Sequence, residues 1–289
     1  MGVLDYDSIY VTWNTSQHFC ESHDGGIEYW NIITSFFICF VGILIFIRVH
    51  KSPLIMMAGL TFFCNGLASI LFHSSGYFSY GLIDKTTLTW TFFFVMIHHF
   101  DTTWLSKSRS WVKLILYAPF LIIFLAAMPY MAFVGVFDKF PAYDMLPLLL
   151  FCFTACASGG TYLWKTKCPY LPHFFRTTAV AGTMIVTNYI YENYGCSSLT
   201  SHIPIHSLFH LVASHCVYNF IIVSYCVEHG VALNFESKFN KLFPVPNSRQ
   251  EEELELIISA EYSPTTKVDS RLMMNDIRQN FSESCTTLD

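Results

Sequence analysis

The feature that most constrains this chain is a succession of long apolar runs. A bilayer core about 30 Å thick is crossed by about 20 apolar residues in a helix. Seven segments meet that length: Ile27–Ile47, Pro53–His73, Leu82–Thr102, Trp111–Gly135, Tyr143–Trp164, Pro172–Tyr191 and Pro204–Val227. The fourth contains Pro119 and Pro129, residues that kink or break a membrane helix unless its neighbours re-satisfy the backbone. The expected fold is therefore all-α, a seven-helix transmembrane bundle over residues 27–230. Charge supports this reading. Only 13% of the chain is Asp, Glu, Lys or Arg, against roughly 25% in soluble domains, and much of it falls after Gly230. No basic patch suggests a nucleic-acid partner, and nothing in the pattern implies a protein partner.

Basic residues set the expected direction through the positive-inside rule. Arg48 and Lys51 separate the first two segments, Lys107, Arg109 and Lys113 the third and fourth, and Lys165, Lys167 and Arg176 mark the passage from fifth to sixth. The opposite connections offer only Lys85 and Lys139. The N-terminus is thus expected in the lumen and the C-terminus in the cytosol. Residues 1–26 carry Asp5, Asp7, Glu21 and Asp24 but no Lys or Arg and no apolar core, so they read as a lumenal N-terminal segment rather than a signal peptide, and the first apolar run as an uncleaved anchor. Asn14-Thr15-Ser16 is a glycosylation sequon on that side. Of the ten cysteines, only Cys20 and Cys196 would face an oxidising lumen, which favours but does not require their pairing. Residues 231–289, with the acidic stretch Glu251–Glu255, read as a polar cytosolic tail, disordered in part.

Ionisable residues inside membrane segments are costly and mark functional sites. His206 and His210 are four residues apart, about 400° around a helix, so both rings leave one face. Ser69 and His73 repeat that spacing at the end of the second segment, and Asp84 opens the third. Each pattern has a plainer explanation: histidines at the headgroup level, a serine bonded to its own helix, a helix-capping aspartate. Topology brings the three together, because the end of segment two and the starts of segments three and seven share one membrane depth. Three imidazoles, one carboxylate and one hydroxyl at one level match a catalytic zinc site, which keeps three protein ligands and an open position. His215 is turned away from the pair. His98, His99 and Asp101 form a second cluster at the cytosolic end of segment three; with nothing expected on segments two or seven at that depth, it reads as an interfacial polar cap.

These residues also resemble a known family. Gly66-Leu67-Ala68-Ser69-Ile70-Leu71-Phe72-His73 is similar to the G-x-x-S-x-x-F-H motif of alkaline ceramidases. Ile83-Asp84 followed by Trp90 resembles the next motif at the same distance, and His206-Ser207-Leu208-Phe209-His210 the closing H-x-x-x-H. Phe19-Cys20-Glu21 and Glu28-Tyr29-Trp30-Asn31 look like the family's N-terminal elements. The resemblance implies zinc on His73, His206 and His210, with Asp84 and Ser69 serving the attacking water and the reacting carbonyl. It implies a lumenal Cys20–Cys196 disulfide, and calcium held by Phe19 (through its backbone), Glu21 and Glu28. Lys85 stands where the family carries an acidic residue, and His18 and His23 stand where it places oxygen ligands for calcium.

The activity so implied is zinc-dependent hydrolysis of ceramide, a membrane lipid, to a sphingoid base and a fatty acid. The protein would reside in the endoplasmic reticulum or Golgi membrane, with the plasma membrane as an alternative. Two other readings remain open: a related seven-span hydrolase acting on another lipid amide or ester, and a receptor with a structural zinc.

Overall fold

The computed structural model describes residues 27–105, 111–113, 115, 117–119, 122, 145–165, 167–168, 170–191, 204–229, 231–234, 240 and 242–247. Among them run six long helices: α1 (Tyr29–Arg48), α2 (Pro53–Ser75), α3 (Phe78–Thr103), α4 (Met145–Lys165), α5 (Leu171–Ile190) and α6 (Ile205–His229). Two short antiparallel strands follow, β1 (Leu233–Asn234) and β2 (Val245–Pro246), with Leu233 opposite Pro246 and Asn234 opposite Val245. Most of the expected fourth span, the segment 1–26 with Phe19, Cys20 and Glu21, Cys196, and residues 248–289 lie outside the described residues.

Helices α1, α2 and α6 are long and apolar enough to cross a membrane. The six helices match the expected first, second, third, fifth, sixth and seventh segments within a few residues. The exception is the start of α3, at Phe78 instead of Leu82. Asp84 consequently lies in the second turn and does not cap the helix. The local chemistry explains the early start. Gly76, at φ 69°, takes the left-handed conformation that ends α2, and its N–H bonds Phe72 O at 2.7 Å. A glycine tolerates that backbone at little cost. The chain then reverses within two residues and α3 begins at once, which brings Asp84 back alongside α2.

Neighbouring helices pack in the order α4–α3–α2–α1–α6–α5. Glycines let α1 and α2 approach closely. A Cβ on Gly42 would stand 2.5 Å from Phe63 N, and one on Gly66 2.6 Å from Cys39 N. Small residues at such crossings are how apolar helices gain contact where no hydrophobic force drives them together. This contact sets Asn31, Thr34 and Ser35 of α1 against Ser69 and His73 of α2. The core below is apolar and aromatic, with Phe62, Phe93, Phe174, Tyr218 and Tyr225 fully buried.

The chain beyond α6 folds back on the bundle. Phe243 packs its ring against Phe37, Phe40, His215 and Tyr218, at 5.2 to 6.2 Å between centroids. Arg48 bonds the Tyr218 hydroxyl and donates to Phe243 O at 3.1 Å, while Tyr218 donates to Pro244 O at 2.6 Å. Irregular backbone beside apolar helices needs its polar groups satisfied by the protein, and these bonds do so for the returning chain.

Candidate metal centre

Five helices contribute to one end of the bundle. His73 stands in the last turn of α2, and His206 and His210 in the first two turns of α6. The His206 and His210 rings are 4.6 Å apart between centroids, and the His73 ring lies 5.2 Å from each. One ligand atom from each of the three lies within 4.8 Å of the others. His73 and His210 are buried and His206 is half-buried. Three imidazoles so placed could hold a metal ion, and the donor set suits zinc, copper, iron or nickel equally by ligand type.

The Nδ1 atoms carry the stronger argument for a metal. Each is met by a side-chain oxygen, from α1 or from α5. His73 Nδ1 meets the Glu28 carboxylate at the start of α1. His206 Nδ1 lies 3.2 Å from Asn188 Oδ1, near the end of α5. His210 Nδ1 lies 3.1 Å from Thr34 Oγ1 and 3.4 Å from Ser35 Oγ, both on α1. Thr34 directs its own proton to Trp30 O at 2.9 Å, so towards His210 it accepts. That arrangement favours a proton on His210 Nδ1. The same tautomer follows for His73 facing a carboxylate and His206 facing an amide oxygen. All three rings therefore present Nε2 as the bare donor, and oxygen acceptors on the far nitrogen are the usual means of orienting metal-binding imidazoles. A further layer supports Glu28: Asn31 Nδ2 donates to Glu28 Oε2 at 2.9 Å, and Ser207 Oγ donates to Asn31 Oδ1 at 2.5 Å.

Ser69 and Asp84 flank the histidines. Ser69 is fully buried, and its hydroxyl is hydrogen-bonded to Ser35 Oγ at 2.9 Å, which links it to the His210 side of the group. Asp84 is not one of the clustered ligand atoms. It stands on α3, where its Oδ1 accepts from Asn65 Nδ2 at 2.6 Å. Of the residues expected to bind calcium, Glu28 alone is described, and its carboxylate is turned to His73 and Asn31.

Glu28 as a partner of His73, together with Asn31, Thr34, Ser35, Asn65 and Asn188, escaped the sequence reading. A signal existed for most of them. Asn31, Thr34 and Ser35 are the polar positions of an otherwise apolar α1 and recur at helical spacing, as do Asn65, Ser69 and His73 on α2. Asn188 has no such companion.

The second histidine cluster differs from expectation. His98 is only 2% exposed and His99 is fully buried, so they are not an interfacial cap. Segment seven does reach that depth: Glu228 Oε2 lies 3.7 Å from His98 Nδ1 and 3.4 Å from His229 Nε2. His99 bridges Ser158 Oγ at 3.2 Å and Ser224 Oγ at 2.8 Å. Helix α6 runs past Val227 to His229, which supplies the carboxylate the shorter expected segment lacked. Asp101 pairs instead with Lys113, at 2.5 Å. His215 stays apart from the metal group, within 3.1 Å of Asn219 Nδ2.

Among known proteins, no family model matches the chain and no curated protein matches it.

Proposed function

We propose that this protein is a membrane-embedded, zinc-dependent amidase that hydrolyses ceramide or a closely similar lipid amide. The observation that carries the reading is the convergence of His73, His206 and His210, each with a side-chain oxygen at hydrogen-bond distance from Nδ1. Among the described residues no fourth ligand joins the three histidines, and three histidines with an open position are the donor set of a catalytic zinc rather than a structural one. Zinc, when bound, supplies an activated water near neutral pH and a Lewis acid for a carbonyl.

The protein's own groups divide the remaining work. The Asp84 carboxylate takes the proton of the attacking water and passes it to the leaving amine, so one water is consumed and one acid and one amine result. The buried Ser69 hydroxyl donates to the oxygen of the carbonyl as negative charge develops there. Placement of these groups among apolar helices suits a substrate whose labile amide lies just inside a leaflet and whose chains remain in lipid. The resemblance of the Ser69–His73, Asp84 and His206–His210 motifs to alkaline ceramidases supplies ceramide as the first substrate to test. It also favours the endoplasmic reticulum or Golgi as the membrane.

The test is hydrolysis of a panel of ceramides, acyl-ethanolamides and phospholipids by purified protein, with bound metal measured by mass spectrometry. Wild type should carry one zinc per chain and release fatty acid from ceramide. Asp84→Asn should keep the zinc and lose activity by a factor of about 100 or more. Protein purified without metal, or an Asp84→Asn variant as active as wild type, would overturn the proposal.

A further inference from the structure

Asn65 lies on α2 about two turns before His73. Asn65, Ser69 and His73 follow one another at four-residue steps and so share a face of the helix. The Asn65 side chain is buried, with the residue 2% exposed. Its amide crosses to α3 and makes two bonds to a single residue: Nδ2 donates to Asp84 Oδ1 at 2.6 Å and to Asp84 O at 2.7 Å. An amide NH₂ has two protons, and here both are directed to Asp84. The carbonyl it reaches already accepts from Thr87 Oγ1 at 3.0 Å. A bond to the backbone carbonyl alone would tie the two helices together. The second bond, to the carboxylate, instead fixes one side-chain oxygen relative to its own backbone, and so fixes the rotamer.

We infer that Asn65 is a positioning residue: it clamps Oδ1 of Asp84 and thereby holds Oδ2 as the oxygen that exchanges protons with the substrate. This rests on the hydrolase reading above, and it assigns to Asn65 a role outside the Ser69, His73 and Asp84 motifs. A carboxylate free to rotate on the face of α3 would spend most of its time away from the reacting atoms. Misplacement by about 1 Å costs on the order of 100-fold in rate.

The experiment compares wild type, Asn65→Leu, Asp84→Asn and the double variant. Readouts are kcat and KM on the substrate that wild type turns over, bound zinc, and melting temperature in detergent. Asn65→Leu is expected to lower kcat by about 30- to 100-fold with KM nearly unchanged and zinc content equal to wild type. In the Asp84→Asn background the same change should cost nothing further, because a residue that acts through Asp84 has nothing left to position. Asn65→Ser, which keeps a shorter donor, should retain an intermediate kcat, and it carries the same cycle if the leucine variant does not fold. Two results would overturn the inference while leaving the hydrolase intact: wild-type kcat in Asn65→Leu, or an equal loss with and without Asp84, which would make Asn65 an interhelical strut. Wild-type protein inert towards the whole lipid panel would remove the hydrolase reading and this inference together.

Discussion

Thr34 shows how much of the metal site depends on residues that touch no metal. Its hydroxyl accepts from His210 because its own proton is already committed to Trp30 O. Replacing it with valine keeps the shape and removes the nearer acceptor, leaving His210 Nδ1 only the longer contact to Ser35 Oγ at 3.4 Å. Loss of such a partner typically weakens metal binding by about 10- to 100-fold. Thr34→Val should show that loss in competition against a chelator of known affinity, while Thr34→Ser should stay near wild type. Equal affinity in all three would mean the Thr34 contact does not orient the ring.

The helices that carry these residues are held by two devices, one midway along α1 and one at its C-terminal end. Midway, Gly66 and Gly42 bring α1 and α2 into backbone contact. Gly66→Ala places a methyl group where Cys39 already sits, and overpacking of this kind costs about 1–3 kcal/mol. A drop in melting temperature together with reduced zinc occupancy is the expected result, because displacement of α1 carries Thr34, Ser35 and Glu28 with it. At the C-terminal end of α1, Arg48, Tyr218 and the carbonyls of Phe243 and Pro244 close a latch between α1, α6 and the returning chain. Tyr218→Phe removes a buried hydroxyl that serves two partners and should cost about 1–3 kcal/mol. Hydrogen exchange should then rise at residues 243–247 more than in α2. A uniform change along the chain would count against a local latch.

For the molecule as a whole, the expected direction in the membrane is testable on its own. Trp104, Trp111 and Trp164 are exposed at the helix ends that carry Lys113 and Lys165, and Lys165 Nζ sits 4.8 Å from the Trp104 ring centroid. Tryptophans with lysines at one level fit a cytosolic interface. Asn14 should therefore be glycosylated in membranes and Asn280 not, read as a single glycosidase-sensitive shift abolished by Asn14→Gln. Metal removal offers a second global test. A ligand bound to the folded state alone at 100 times its Kd adds about 2.7 kcal/mol of stability. Stripping the zinc should lower the melting temperature of wild type, and should leave that of His210→Ala unchanged.

How far the sequence foretold this arrangement varied with the kind of interaction. Apolar length marked the helices and four-residue spacing paired Ser69 with His73 and His206 with His210, because both are written along one stretch of chain. Glu28 against His73 and Asn188 against His206 depend on which helix neighbours which. No spacing encodes that. Asp84 lay between the two cases: its depth was legible, but its place inside α3 depended on the tight reversal at Gly76. The paired buried groups His98 and Glu228 were missed for a simpler reason, since the last helix was drawn two residues too short.

The three clustered histidines come from α2 and α6, with nearly half of the chain synthesised between them. A ribosome that has made α1 to α5 has produced His73 and the oxygens beside His210, but neither partner imidazole. The histidine group can form only when α6 closes against α1. Acquisition of an ion would then report that α6 has docked, giving the cell a chemical signature that separates molecules with a closed bundle from stalled ones.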